Sequence, residues 1–145
     1  MTTIISAARA CVVQNNKLLL VSSDGTFWHL PGGHMEPKEP LSACAIREVY
    51  EETGYRIMLG ELLYVSEFYD KRWDSHKVEA IFIASVISAP ETNTWNDLGE
   101  DQSVTMQRWF SLEELQTRND ILPRFLSEGK WLNGTGEIYR GYETN

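Results

Sequence analysis

Residues 33–55 read GHMEPKEPLSACAIREVYEETGY, and this stretch decides the fold. Its second half has the spacing of a helix. Leu41, Cys44, Ala45 and Val49 recur three and four positions apart, the apolar stripe by which a helix docks on a core. Glu48, Glu51 and Glu52 fall on another face, because residues three and four apart are neighbours on a helix surface. Like charges so placed repel one another. A divalent cation removes the conflict, since Mg²⁺ or Mn²⁺ takes hard oxygen ligands, a few carboxylates together with the phosphate oxygens of a substrate. The segment reads as half of a metal site whose other half is a phosphorylated ligand.

The flanks agree with this reading. Leu30-Pro31-Gly32-Gly33 is a breaker cluster just before the helix. Proline with two glycines fits a tight turn that brings backbone close to a metal or a phosphate. Pro40 stands near the helix start, where a missing N–H costs nothing. Gly54 is the expected left-handed stop. Arg47 lies beside the acidic cluster, within reach of a carboxylate it can orient as a bidentate partner.

The segment resembles the Nudix box, G-x5-E-x7-R-E-U-x-E-E-x-G-U, in which U is a bulky aliphatic residue. Gly33, Glu39, Arg47, Glu48, Val49, Glu51, Glu52 and Gly54 match at the required spacing. Tyr55 departs from the aliphatic type at the last position but is large enough to pack. Lys38 stands where many members carry Gly, and Pro40 where many carry a Ser or Thr cap. The remainder resembles the family only loosely, through Trp28 to Gly33 before the box and Arg108 to Leu115 after it.

The resemblance implies a single domain over residues 1–145, an α/β fold in the form of an α/β/α sandwich around a mixed sheet. It also implies divalent-metal-dependent hydrolysis of a diphosphate linkage, by attack of water at phosphorus. The substrate class is a nucleoside diphosphate linked to another moiety: a nucleoside triphosphate, ADP-ribose or another nucleotide sugar, or a dinucleoside polyphosphate. Glu48 and Glu52, one turn apart, are the expected metal ligands. Glu51 serves a further ion or acts through water, and the backbone carbonyl of Gly32 completes the set. Arg47 orients a box carboxylate, and Glu39 braces the loop. The general base is either a box glutamate or an acid on a later loop, where Glu100 is preferred over Asp101. The alternative reading is a catalytically silent nucleotide-binding or regulatory domain on the same scaffold. Loss of a box glutamate would favour it, and none is lost.

Recognition of the leaving group must lie outside the box. Phe68, Tyr69 and Trp73 stand in a polar stretch, FYDKRWDSH, with Lys71, Arg72 and His76. This stretch reads as a loop, and Phe68, Tyr69, Arg72 and Trp73 are the candidate substrate contacts, with rings able to stack a base. Phe27 and Trp95 are further aromatic residues in the chain, whereas Trp28 and Trp109 stand in strand contexts that suit core packing.

Composition bounds these readings. A chain of 145 residues, 42% hydrophobic and 23% charged, makes one ordinary globular domain. Thirteen basic against 21 acidic residues give a formal net charge of −8. That argues against a nucleic-acid polymer, which needs a basic face, and against an anionic membrane. A small anionic substrate remains compatible, because bound divalent cations reverse the local potential. Cys11 and Cys44 lack metal-type spacing and read as buried small hydrophobes in a reduced, cytoplasmic setting. No signal peptide or membrane span is expected. A homodimer, the commonest oligomer, is permitted but not indicated.

The rest of the chain predicts a hairpin, with strands over 4–13 and 17–21 around Gln14-Asn15-Asn16. A long strand over 56–69 bends near Gly60, and a core strand runs over 78–88. A loop over 89–101 leads to a strand over 104–110. Ser111 and Glu114 form a capping box that opens a helix through Thr117. A second short helix over 122–128 and an edge strand over 138–140 follow. Strands interleaved with a few helices suggest a mixed sheet covered on both faces.

Overall fold

The computed structural model describes residues 1–91 and 106–144. Two strands at the start fix the frame. β1 (Thr3–Gln14) and β2 (Lys17–Ser22) form the expected hairpin. Gln14 pairs with Lys17, and the two residues between them, Asn15 and Asn16, have φ of 53° and 60°. Asparagine tolerates that left-handed backbone, and two such residues give the turn whose twist matches the strands.

Along β1 the side chains alternate between two separate cores, as the period of two requires. Cys11 packs with Leu18, Leu20, Phe110 and Leu126 on one face. Ala8, Ala10 and Val12 lie on the other, where Leu19, Val49, Cys44 and Ala45 meet them. A strand buried on both faces reads as a continuous apolar run rather than an alternating one, which is why Ala7 to Val12 carries only one polar residue, Arg9.

The described strands continue with β3 (Trp28–His29), β4 (Gly32–His34), β5 (Arg56–Asp70), β6 (Ser75–Ser88), β7 (Met106–Ser111), β8 (Ile121–Leu122) and β9 (Tyr139–Thr144). The sheet order is β8-β3-β2-β1-β6-β5-β9, with β4 on β1 and β7 on β2. β1 runs parallel to β6, β5 parallel to β9 and β3 parallel to β8, and the other pairs are antiparallel. Helix α1 (Leu41–Thr53) covers one face. The opposite face is covered by α2 (Leu112–Thr117), a 3-10 turn (Arg124–Glu128) and α3 (Lys130–Asn133), through Leu115, Leu126 and Trp131. The result is the α/β/α sandwich around a mixed sheet. The register between β5 and β6 shifts between Leu59 and Leu62, at the bend foreseen near Gly60.

Four local expectations are corrected. The span 122–128 is not one helix. Proline disfavours helical backbone at the residue before it, so Leu122 is extended and pairs in β8, and the 3-10 turn starts only after Pro123. The stretch FYDKRWDSH is not a loop. Tyr69 pairs with His76 and Asp70 with Ser75, so only Lys71 to Asp74 form the turn of a hairpin. Buried Asp70 closes that turn by accepting from the backbone N–H of Arg72 at 2.9 Å. Leu41, at the first position of α1, is exposed, and the buried face is completed by Glu52 and Thr53 instead. The last strand begins at Tyr139 and continues to Thr144. Most of the loop expected over 89–101, with residues 104 and 105 of the following strand, lies outside the described residues.

Candidate active site

The glycine turn is held by the sheet. β4 pairs antiparallel with β1, placing Gly32 opposite Arg9 and Gly33 opposite Ala8. Gly32 has φ of 152°, and a Cβ there would lie 2.3 Å from the Ala8 carbonyl oxygen, so only glycine fits. At Gly33 a Cβ would lie 2.5 Å from the Glu48 carboxylate. The missing side chain is the space the Glu48 head group occupies.

Between the turn and α1, a short loop returns the chain. Glu36 N–H donates to Glu39 Oε1 at 3.1 Å, and Glu39 N–H donates to the Glu36 carbonyl at 3.1 Å. Lys38 sits in this loop with φ of 66°, the left-handed region that suits glycine. Pro40 caps α1 without a side-chain hydrogen bond, and Gly54 ends it at φ of 78°.

Arg47 organises the acidic face. Its Nε donates to Glu39 Oε2 at 2.7 Å and its Nη2 to Glu39 Oε1 at 2.9 Å, a bidentate fork. Nη1 donates to Glu48 Oε1 at 2.8 Å and to Glu51 Oε2 at 3.2 Å, and Nη2 also reaches the His34 carbonyl at 3.2 Å. One guanidinium thus ties the return loop, the glycine strand and two helix carboxylates together. Hydrogen bonds from Arg47 hold the Glu39 pKa down at about 2.

Glu52 is buried, on the side of the helix that meets the sheet. There Arg9 from β1 donates to Glu79 Oε2 on β6 through Nε and to the Leu30 carbonyl through Nη1 at 2.9 Å. Burial works to lower the Arg9 pKa; Glu79, with Glu52 and Glu48 behind it, outweighs that and raises it. Arg9 and Glu79 also line a cleft.

That cleft, of about 250 Å³, is lined by Arg9, Glu79, His29 and Leu30 at one end. Phe68, Ile81, Pro123 and Phe125 give it apolar walls, and Glu67 and Arg140 stand on adjoining strands. Of the sequence-stated substrate candidates only Phe68 lines it. Tyr69 donates its hydroxyl to Asp74 at 2.7 Å, Arg72 pairs with Asp70 at 2.9 Å, and Trp73 is 75% exposed at the hairpin tip. Glu100, Asp101 and Trp95 lie outside the described residues. The sequence reading missed Phe125 and Arg140. Both come from segments distant in sequence, and no local motif marks them.

Among the described residues, no three His, Cys, Asp or Glu side chains cluster so as to hold a metal by themselves. Arg47 already engages one oxygen each of Glu48 and Glu51. The donors present are hard carboxylate oxygens beside a glycine turn, which fits a Mg²⁺-type ion that keeps waters and substrate oxygens in its shell. Cys11 and Cys44 are free and buried. No helix among the described residues is long and apolar enough to cross a membrane.

This glycine turn, return loop and acidic helix are the arrangement that the box builds. A family model described as NUDIX domain matches residues 5–128, and the chain belongs to the Nudix hydrolase family. Diphosphoinositol polyphosphate phosphohydrolase 2 of Mus musculus is 36% identical over 126 residues, which cover 81% of this chain and 64% of the relative. The Homo sapiens 3-alpha form is 34% identical over 124 residues, covering 81% of this chain and 71% of the relative. The chain thus spans less than two-thirds of the first of these relatives. Among solved structures, a NUDIX hydrolase from Nitrosomonas europaea aligns at TM-score 0.65 and 26% identity, over 79% of this chain and 76% of the other. A MutT protein from Bacillus halodurans aligns at TM-score 0.73 over 96% of this chain and 89% of the other, and at 18% identity shows the fold alone.

Proposed function

We propose that this protein is a pyrophosphohydrolase that cleaves a phosphoanhydride bond in a small diphosphate compound, with a nucleoside diphosphate derivative as the preferred class. One observation carries this reading. Arg47 fixes Glu48 and Glu51 on the helix face next to the glycine turn.

Glu48 and Glu52, with the Gly32 carbonyl, would hold Mg²⁺ or Mn²⁺. When bound, such an ion neutralises charge on phosphate oxygens and acidifies a coordinated water. Arg47 orients Glu48 and Glu51, and one of them, or Glu100, takes the proton from the attacking water. Phe68 and Phe125 offer rings on which a planar leaving group can rest. A reduced, cytoplasmic setting accords with two free buried thiols.

The relatives' names favour a second class, diphosphoinositol polyphosphates. Such a ligand carries many phosphates and calls for a strongly basic wall. Here the cleft has two arginines, Arg9 and Arg140, each paired with a glutamate, Glu79 and Glu128, and Glu67, Glu79 and Glu143 line it. The apolar, acid-bearing cleft suits a nucleoside better.

The test is a panel of nucleoside triphosphates, ADP-ribose, nucleotide sugars, dinucleoside polyphosphates and a diphosphoinositol polyphosphate, with Mg²⁺ or Mn²⁺, beside Glu52→Gln. Turnover of one nucleotide class, lost in the variant, is the expected result. Turnover confined to the inositol compound would overturn the substrate class. No turnover anywhere would favour a silent binding domain.

A further inference from the structure

The segment after residue 128 lies beyond the family-model match, yet it builds one wall of the cleft. β9 adds to the outer edge of β5 and brings Arg140 there. Three observations set Arg140 apart. Its guanidinium carbon lies 5.1 Å from the centre of the Phe125 ring, a stacked cation on a cleft-lining residue. Its Nη2 donates to both oxygens of Glu128, at 2.8 and 2.7 Å. Its Nε–H is buried without a hydrogen-bond partner among the described residues.

The pairing is unequal. The Arg140 side chain is 17% exposed and that of Glu128 57% exposed. An ion pair with so exposed a carboxylate holds weakly in water. The cleft's other arginine, Arg9, has no such freedom, since a part-buried glutamate and a backbone carbonyl engage it. An arginine stacked on a ring in the cleft lining and held at Nη2 by an exchangeable, exposed carboxylate is suited to receive an oxyanion there.

Resting on the hydrolase reading above, we infer that Arg140 is a substrate-binding residue that holds an anionic oxygen of a nucleoside diphosphate, and that Glu128 occupies it until the ligand arrives. Ligand binding exchanges the Glu128 carboxylate for a phosphate oxygen, and Phe125 keeps the guanidinium plane in place. The consequence is a contrast of sign. Removing Arg140 weakens binding, whereas removing the Glu128 charge strengthens it. A merely structural ion pair would make both variants worse together.

The experiment measures ADP binding by titration calorimetry with Mg²⁺, and the kinetics of whichever nucleotide the parent turns over, for the parent, Arg140→Met and Glu128→Gln. Thermal melts accompany each variant. The expected result is ADP affinity about tenfold lower in Arg140→Met and higher in Glu128→Gln, with KM following affinity and kcat within about twofold. Equal ADP affinity in Arg140→Met and the parent overturns the inference, as do parallel losses in both variants or no ADP binding by the parent. If Arg140→Met fails to fold, unchanged or weakened binding in Glu128→Gln alone overturns it. ADP binding that follows this pattern without turnover of any nucleotide supports the inference and removes the hydrolase reading. Turnover with KM indifferent to Arg140 does the reverse.

Discussion

Arg47 grips Glu39 by two edges of its guanidinium, Nε to Oε2 at 2.7 Å and Nη2 to Oε1 at 2.9 Å, across eight positions of sequence. This fork closes the return loop onto α1 and leaves Nη1 for Glu48 and Glu51. Because the hydrogen bonds favour the ionised carboxylate, they make folding depend on pH. The Glu39 pKa is depressed in the folded chain, so its contribution is complete above the ordinary carboxylate value of about 4.3 and is lost as pH falls toward about 2. Melting temperature followed by circular dichroism should fall through this window in the parent. In Glu39→Gln the fall should be shallower, since the group that takes up the proton is gone. An identical pH slope in both proteins would refute the assignment.

Arg47→Lys should separate charge from geometry. Lysine keeps the positive charge but cannot serve Glu39 with a fork while also reaching Glu48 and Glu51. Turnover should drop by roughly tenfold or more as those carboxylates lose their orientation. The comparison is kcat for Arg47→Lys against the parent, at a temperature well below both melts. A lysine variant with parental kcat would show that orientation is supplied elsewhere.

The two glycines of the turn should fail differently when changed to alanine. At Gly32 the added Cβ meets the Ala8 backbone at 2.3 Å, and backbone in a paired strand cannot step aside. Gly32→Ala should lower the melting temperature by roughly 5 °C or more. At Gly33 the Cβ meets the tip of the Glu48 side chain, which can rotate away. Gly33→Ala should therefore melt close to the parent but lose much of its activity, because Glu48 is displaced. Paired melts and rate measurements decide this, and a large melt shift for Gly33→Ala would count against it.

The box departure at Tyr55 also has a partner. Trp109 Nε1 donates to the Tyr55 hydroxyl at 3.3 Å, and the two rings pack edge to face with centroids 5.5 Å apart. An aliphatic residue would supply packing alone. Tyr55→Phe should cost about 1 kcal/mol in urea unfolding, the worth of one ordinary hydrogen bond. Tyr55→Val should cost more, since the ring contact goes as well.

What the sequence discloses here is what is local. The bounds of α1, the Asn15-Asn16 turn and the Ser111–Glu114 capping box each rest on residues within a few positions, and each stands in the structure. The bracing of Arg47 by Glu39 is also local, eight residues apart within one motif. The cleft is not. Arg9 meets Glu79 across 70 positions, and Arg140 reaches Phe125 only because β9 adds to β5. Strands of two or three residues such as β3, β4 and β8 carry no period to detect, and their pairing is set by the neighbours they find. Tyr69, Arg72 and Trp73 stood out as aromatic and basic residues together, but the hairpin turns the polar groups of Tyr69 and Arg72 onto Asp74 and Asp70 and leaves Trp73 exposed at its tip.

Lys38 supplies the last prediction. It stands where the resemblance leads one to expect glycine, and its φ of 66° is the reason glycine suits the position. A side chain in the left-handed region costs about 1 kcal/mol, which glycine does not incur. Glycine in turn loses more freedom on folding, so only part of the gain survives. Lys38→Gly should therefore stabilise the chain by up to about 1 kcal/mol. Lys38→Ala should not, because alanine meets the same backbone strain without the longer stem. Loss of a positive charge is common to both variants, so the difference between them isolates the backbone effect. Urea unfolding of the three proteins at one pH and salt concentration reads it directly. Equal stability of the glycine and alanine variants would mean that the return loop relaxes out of the left-handed region, and that Lys38 bears no strain.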